Sequence, residues 1–131
     1  MKMTKYENFC KALDNLESIN QYEEPYDTVT LTGLVGLYEV CFEQTWKAMK
    51  EILENQGFEE SKTGSPKKVL KTAYAAGMIA EEDKWLEALQ ARNNVAHSYN
   101  ESIALDIVRQ TKVVFLGLFQ GLKAELEENW I

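Results

Sequence analysis

A chain of 131 residues has room for one hydrophobic core and not for two, so a single domain is expected. Fourteen basic against twenty-one acidic residues give a net charge of −7; phosphate affinity comes from counterion release at a basic surface, so a nucleic-acid coat protein and a general DNA binder are excluded. Two cysteines are too few for a disulfide framework and no apolar run reaches the roughly 20 residues that span a bilayer, which predicts free buried thiols in a reducing cytoplasm, no membrane segment and no signal peptide.

Along the chain, Tyr6, Phe9, Cys10, Leu13, Leu16 and Ile19 recur at helical spacing and predict a first helix from about Thr4 to the acidic stretch before Pro25. Asp27 or Thr28 caps a second helix. Its stripe of Leu31, Leu34, Val35, Tyr38, Phe42, Trp46, Met49 and Leu53 runs to a C-terminal glycine, Gly57. Gly33 and Gly36 each weaken this helix by up to about 1 kcal/mol relative to alanine, so close packing is expected at both. Glu59 to Gly64 is the most polar stretch and predicts an exposed loop. Ser65 and Pro66 suit the N-cap and first position of a third helix, which ends near Gly77 with Met78 and Ile79 packed behind the turn.

Glu81, Glu82 and Asp83 favour the positive end of a fourth helix, which continues through Trp85, Leu86 and Leu89 into the segment Arg92 to Tyr99. Asn100 breaks the pattern. A fifth helix carries Ile103, Ile107, Val108, Val114, Phe115, Leu118, Phe119, Leu122 and Leu126. The sum is an all-α, antiparallel bundle of four or five helices. Trp46, Trp85 and Tyr38 hold core spacing and read as packing residues. Lys67, Lys68 and Lys71 form the one basic cluster and read as a solvated face. Glu125, Glu127 and Glu128 read as solvated charge at a helix end.

The chemistry is concentrated in Arg92-Asn93-Asn94-Val95-Ala96-His97-Ser98-Tyr99, which holds the single histidine and one of two arginines. Singly, each residue has a structural use: a histidine near a helix C-terminus bonds free carbonyls, an arginine forms a surface ion pair, and a tyrosine packs. Together they supply a planar donor fork, a group that titrates near neutral pH and a phenol, the side chains needed to hold and cleave a phosphodiester. On an ideal helix Asn93 and His97 share a face, which would let Asn93 orient the ring, whereas Arg92 and His97 diverge by roughly 140°. One helix therefore makes a poor closed pair, and a twofold dimer could aim both groups into a shared cleft. RNA carries its own nucleophile, so cleavage needs only a base, an acid and charge stabilisation at the phosphorane. His97 suits the proton transfers and Arg92 the non-bridging oxygens. One histidine, scattered carboxylates and no Gly-rich phosphate loop leave no metal or cofactor to be expected.

Arg92, four residues, His97, one residue and Tyr99 resembles the signature of the HEPN superfamily of small helical proteins. The Tyr38–Trp46 stretch, Ser65-Pro66, Gly77-Met78-Ile79 and the acidic turn leading to Trp85 resemble one branch of it, the nucleotidyltransferase substrate-binding proteins that include the HepT toxins. The resemblance covers nearly the whole chain. It implies a helical bundle that dimerises through the motif helices, and a companion minimal nucleotidyltransferase. In ribonuclease members the motif arginine and histidine of two protomers line a metal-independent RNA-cleaving cleft; Arg92 and His97 match them, and Asn93 matches the polar residue that follows the arginine. In HepT-like members the companion is an antitoxin that transfers adenylyl groups to the motif tyrosine, matched by Tyr99. The expected function is accordingly a homodimeric, HEPN-type endoribonuclease toxin acting on RNA. The alternative is a non-catalytic subunit presenting substrate to the nucleotidyltransferase, and a plain helical interaction module comes third.

Overall fold

Helix α1 (Thr4–Glu17) carries Phe9, Leu13 and Leu16 on its buried face, and its chain direction is prolonged by one 3-10 turn, Ser18–Gln21. The first helical stretch thus stops short of Pro25, at Gln21. The computed structural model describes residues 4–58 and 64–131. Helix α2 (Thr28–Asn55) starts where the Asp27 carboxylate accepts the Thr30 amide at 2.7 Å, satisfying an amide that has no partner inside the helix. Gly57 follows its end at φ +90°, a left-handed conformation that glycine adopts without a Cβ clash. Of the loop expected at Glu59 to Gly64, residues 59–63 lie outside the described residues.

Helix α3 (Pro66–Ala75) is capped by Ser65, whose hydroxyl accepts the Lys68 amide, and it ends at Gly77, φ +81°, with Met78 and Ile79 buried behind the turn. Helix α4 (Glu82–Asn94) starts after Glu81 and buries Trp85, Ala88, Leu89 and Ala91. It is shorter than expected. From Val95 to His97 the chain tightens into a 3-10 turn, and Asn100 caps the next helix through the amides of Ser102 and Ile103. Helix α5 (Glu101–Gln110) passes through a π-helical segment, Thr111–Phe115, into α6 (Leu116–Asn129), so the expected fifth helix is one rod with a widened turn. At that point the buried Thr111 hydroxyl donates to the Ile107 carbonyl at 2.7 Å, taking up an acceptor of the helical ladder.

Helix α2 is the centre of the bundle, with α1, α3, α4 and α5 all against it. Side-chain ties give the directions. Lys5 N–H meets Glu51, Tyr6 meets Glu127 at 2.9 Å and Gln120 meets Glu17 at 2.8 Å, so α1 runs antiparallel to both α2 and α6. The buried side chains form one cluster around Tyr38, whose ring lies 5.4 Å from Phe115, 6.1 Å from Phe119 and 6.3 Å from Phe42. Among the described residues Gly33 and Gly36 do not serve close packing, because a Cβ on either would meet none of their atoms within 4 Å beyond its own helical turn. The C-terminal acids are also less idle than the sequence suggests: Glu125 accepts from the Trp130 indole and Glu127 from the Tyr6 hydroxyl. Of the lysine cluster, Lys71 is tied to Glu82 at 3.4 Å.

Candidate functional site

Two residues of α2 set the position of the motif. Tyr38, fully buried, donates its hydroxyl to the carbonyl of Ala88, one turn before Arg92. One and a half turns further along α2, Glu43 meets Arg92 itself: Nε to Oε2 at 2.7 Å and Nη2 to Oε1 at 3.0 Å. The two contacts run in the same sense along both helices, so α4 lies parallel to α2 here. The Arg92 side chain is 29% exposed and that of Glu43 25%, so the pair is partly shielded from water. The Trp46 indole N–H donates to Glu43 Oε1 at 3.3 Å, a turn further on.

Sequence reasoning missed Glu43 and assigned Trp46 to packing alone. Glu43 lies 49 positions from Arg92, and no periodicity links a polar residue on one helix to a polar residue on another. The available signal was that Glu43 sits between Phe42 and Trp46, at the border of the α2 apolar stripe, where a carboxylate needs a partner.

The motif divides into two groups. Arg92 Nη1 donates to Asn93 Oδ1 at 3.2 Å, so the Asn93 amide oxygen is turned to the arginine, and the structure gives it no hydrogen bond to the imidazole. His97 and Tyr99 form the other group, their rings 6.4 Å apart at 69°. His97 is exposed and Tyr99 is 88% exposed, on the turn between the 3-10 segment and α5. The tightened turn explains the separation. A 3-10 step rotates about 120° against about 100° in an α-helix, which moves Arg92 and His97 from about 140° apart to nearly opposite. It also turns His97 away from the face of Asn93, from about 40° to about 80°.

No hydrogen bond or ring contact joins the two groups, and neither is enclosed. A groove of about 650 Å³ lies between the α3–α4 turn and α6, far along the bundle, and one of about 320 Å³ lies between α4 and α5 beside Asn94. Arg92, His97 and Tyr99 line neither. Within one chain the motif pairs an anchored, partly shielded guanidinium with an exposed imidazole that lies against the Tyr99 ring. No helix among the described residues is long and apolar enough to cross a membrane.

Residues 4–128 match the family described as nucleotidyltransferase substrate binding protein like. A Haemophilus influenzae protein named probable ribonuclease HepT is 26% identical over 82 residues, which are 61% of this chain and 56% of that protein. The chain therefore spans little more than half the length of that curated relative. The crystal structure of a Thermus thermophilus protein superposes with a TM-score of 0.72 at 26% identity, covering 93% of this chain and 98% of the other.

Proposed function

The chain belongs to the nucleotidyltransferase substrate-binding-protein-like family, and from that membership we propose a HEPN-type toxin, a homodimeric, metal-independent endoribonuclease restrained by a cognate minimal nucleotidyltransferase. The observation that carries the reading is the exposed His97–Tyr99 pair set on a tight turn beyond an anchored Arg92. Since ideal helical rotation sets Arg92 and His97 nearly opposite on one chain, this reading takes a second copy to bring one of each to a single phosphodiester.

In that cleft an imidazole removes the 2′-hydroxyl proton of single-stranded RNA and the oxygen attacks phosphorus. The 5′-oxygen departs with a proton from the second protomer's His97, which acts as the imidazolium acid while the first acts as the neutral base, leaving a 2′,3′-cyclic phosphate and a 5′-hydroxyl. Arg92 offsets the charge that builds on the non-bridging oxygens. Control falls to Tyr99. Its hydroxyl attacks the α-phosphorus of ATP in the companion enzyme, pyrophosphate leaves and the phenolic proton passes to solvent. The tyrosine then carries an anionic phosphodiester and a purine at the cleft mouth, which repel and obstruct RNA.

The test is incubation of the purified protein with RNA in EDTA. Wild type should cleave, His97→Ala should lose about 10²–10⁴-fold and Arg92→Ala about 10²–10³-fold. Pretreatment with the companion nucleotidyltransferase, ATP and magnesium should add AMP by mass, suppress cleavage, and do neither in Tyr99→Phe. A second reading, a non-catalytic substrate-binding subunit, is favoured by the Glu43 carboxylate that cancels the Arg92 charge and by the net charge of −7. It replaces the first if wild type cleaves no more RNA than the two variants.

A further inference from the structure

We propose that Glu43 is a positioning residue for the reaction proposed above: it grips one edge of the Arg92 guanidinium so that the opposite edge is presented to a phosphate. The inference rests on the ribonuclease reading for its kinetic consequence and on the geometry alone for the arrangement.

A guanidinium carries five N–H groups in a rigid plane, and two of its edges present parallel donors, Nε with one Nη and the two Nη with each other. Glu43 lies along the first edge, with Nη2 donating to Oε1 at 3.0 Å and Nε in ion-pair contact with Oε2 at 2.7 Å, a buried oxygen that accepts no hydrogen bond from the described residues. The carboxylate is itself held, because Oε1 also accepts the Trp46 indole N–H, and the Tyr38 hydroxyl fixes α4 to α2 one turn earlier. Arg92 is therefore locked against α2 before any ligand arrives. What remains is the Nη1–Nη2 edge, on which Nη1 has one contact, Asn93 Oδ1 at 3.2 Å. Asn93 is exposed, and its amide yields to a phosphate oxygen without unpacking the core.

Two consequences oppose each other. The carboxylate lowers the pull of Arg92 on distant phosphate, which weakens binding. It also removes the need to order a long side chain when charge develops at phosphorus, which favours the chemical step. Glu43 should accordingly appear in kcat and not in KM.

The experiment measures RNA cleavage by wild type, Glu43→Gln and Glu43→Asp. It also follows the Arg92 side-chain Nε–H signal by nitrogen-resolved NMR, assigned with Arg92→Lys since the chain has only two arginines. Glu43→Gln should lower kcat about 10–100-fold with KM equal to wild type or lower, and should shift the Arg92 Nε–H resonance as the ion-pair contact with Oε2 is lost. Glu43→Asp, which keeps the charge with a shorter reach, should recover part of both, and it stands in if the glutamine variant does not fold. Inorganic phosphate should move the Arg92 Nη resonances of wild type and leave Nε in place. A rise in kcat in Glu43→Gln would show a masking carboxylate and overturn the proposal, as would an unmoved Nε–H resonance in that variant. If wild type cleaves no RNA the ribonuclease reading falls alone, and the NMR measurements still decide whether Glu43 sets the presented edge; phosphate that displaces Nε decides against it.

Discussion

Cys41 and Tyr38 are ionisable groups of α2 with no exposed surface, about one helical turn apart. Burial is the main force on both. It pushes the Cys41 thiol up to about 12, with the Thr45 hydrogen bond opposing and the Glu17 charge adding to the shift. It drives the Tyr38 phenol well above its usual range, against the positive charge of Arg92. A folded-state value above the unfolded one means stability that is complete below the unfolded value and is lost as pH rises through the folded value. For Cys41 that window opens near the ordinary thiol value of 9.0 and extends to about 12. The denaturant midpoint should therefore fall as pH is raised from 9 toward 12. At about pH 8, below the ordinary thiol value, the native protein should expose only the half-buried Cys10 to a chromogenic disulfide reagent, with Cys41 reacting after unfolding. Equal reaction of both thiols in the native state would show that the α2 core opens far more readily than its packing implies.

At the scale of elements, the glycines separate into two kinds. Gly57 and Gly77 hold left-handed backbones at the ends of α2 and α3, where a side chain is strained whatever space surrounds it. Gly57→Ala and Gly77→Ala should each destabilise by about 1 kcal/mol or more. Gly33 and Gly36 lie inside α2 with no neighbour among the described residues within 4 Å of an added Cβ. Alanine at either should stabilise by about 0.5–1 kcal/mol, by removing backbone freedom from the unfolded chain. Thermal melting of the four variants tests both halves. A loss of stability at Gly33 or Gly36 would reveal a close-packed partner on that face of α2, in place of the open one seen in the single chain. The end of α4 is also settled at this scale. Asn100 caps α5 through two amides, and the chain must turn within a few residues to reach it, so α4 tightens at Val95 and His97 is carried off the Asn93 face.

For the whole molecule the question is how many copies make a site. One chain offers Arg92 bound to Glu43 in one group and His97 beside Tyr99 in another, and neither group lines the two grooves described above. Under the proposed reading a twofold pair would supply both groups to one cleft, and such pairs are the commonest way for identical chains to assemble. Sedimentation equilibrium at micromolar concentration should give twice the 15.0 kDa chain mass. A species of one chain mass throughout would remove the shared cleft, and with it the ribonuclease reading.

The parts legible in the sequence are those governed by neighbours in the chain. Helical periodicity, the Asp27 and Ser65 caps, the glycines at 57 and 77, the buried pair Met78 and Ile79, and the cluster of polar chemistry from Arg92 to Tyr99 depend on interactions within about a turn. Tertiary structure decided the rest. Which carboxylate holds Arg92 depends on how α4 lies along α2, and Glu43 is one of twenty-one acidic residues that sequence spacing does not distinguish. The separation of Arg92 from His97 depends on where α4 stops, and that is set by the packing and capping of α5 beyond it. Packing, not periodicity, also left Gly33 and Gly36 without a close neighbour among the described residues, because a glycine shows that a backbone could be approached and only the assembled bundle shows whether anything approaches it.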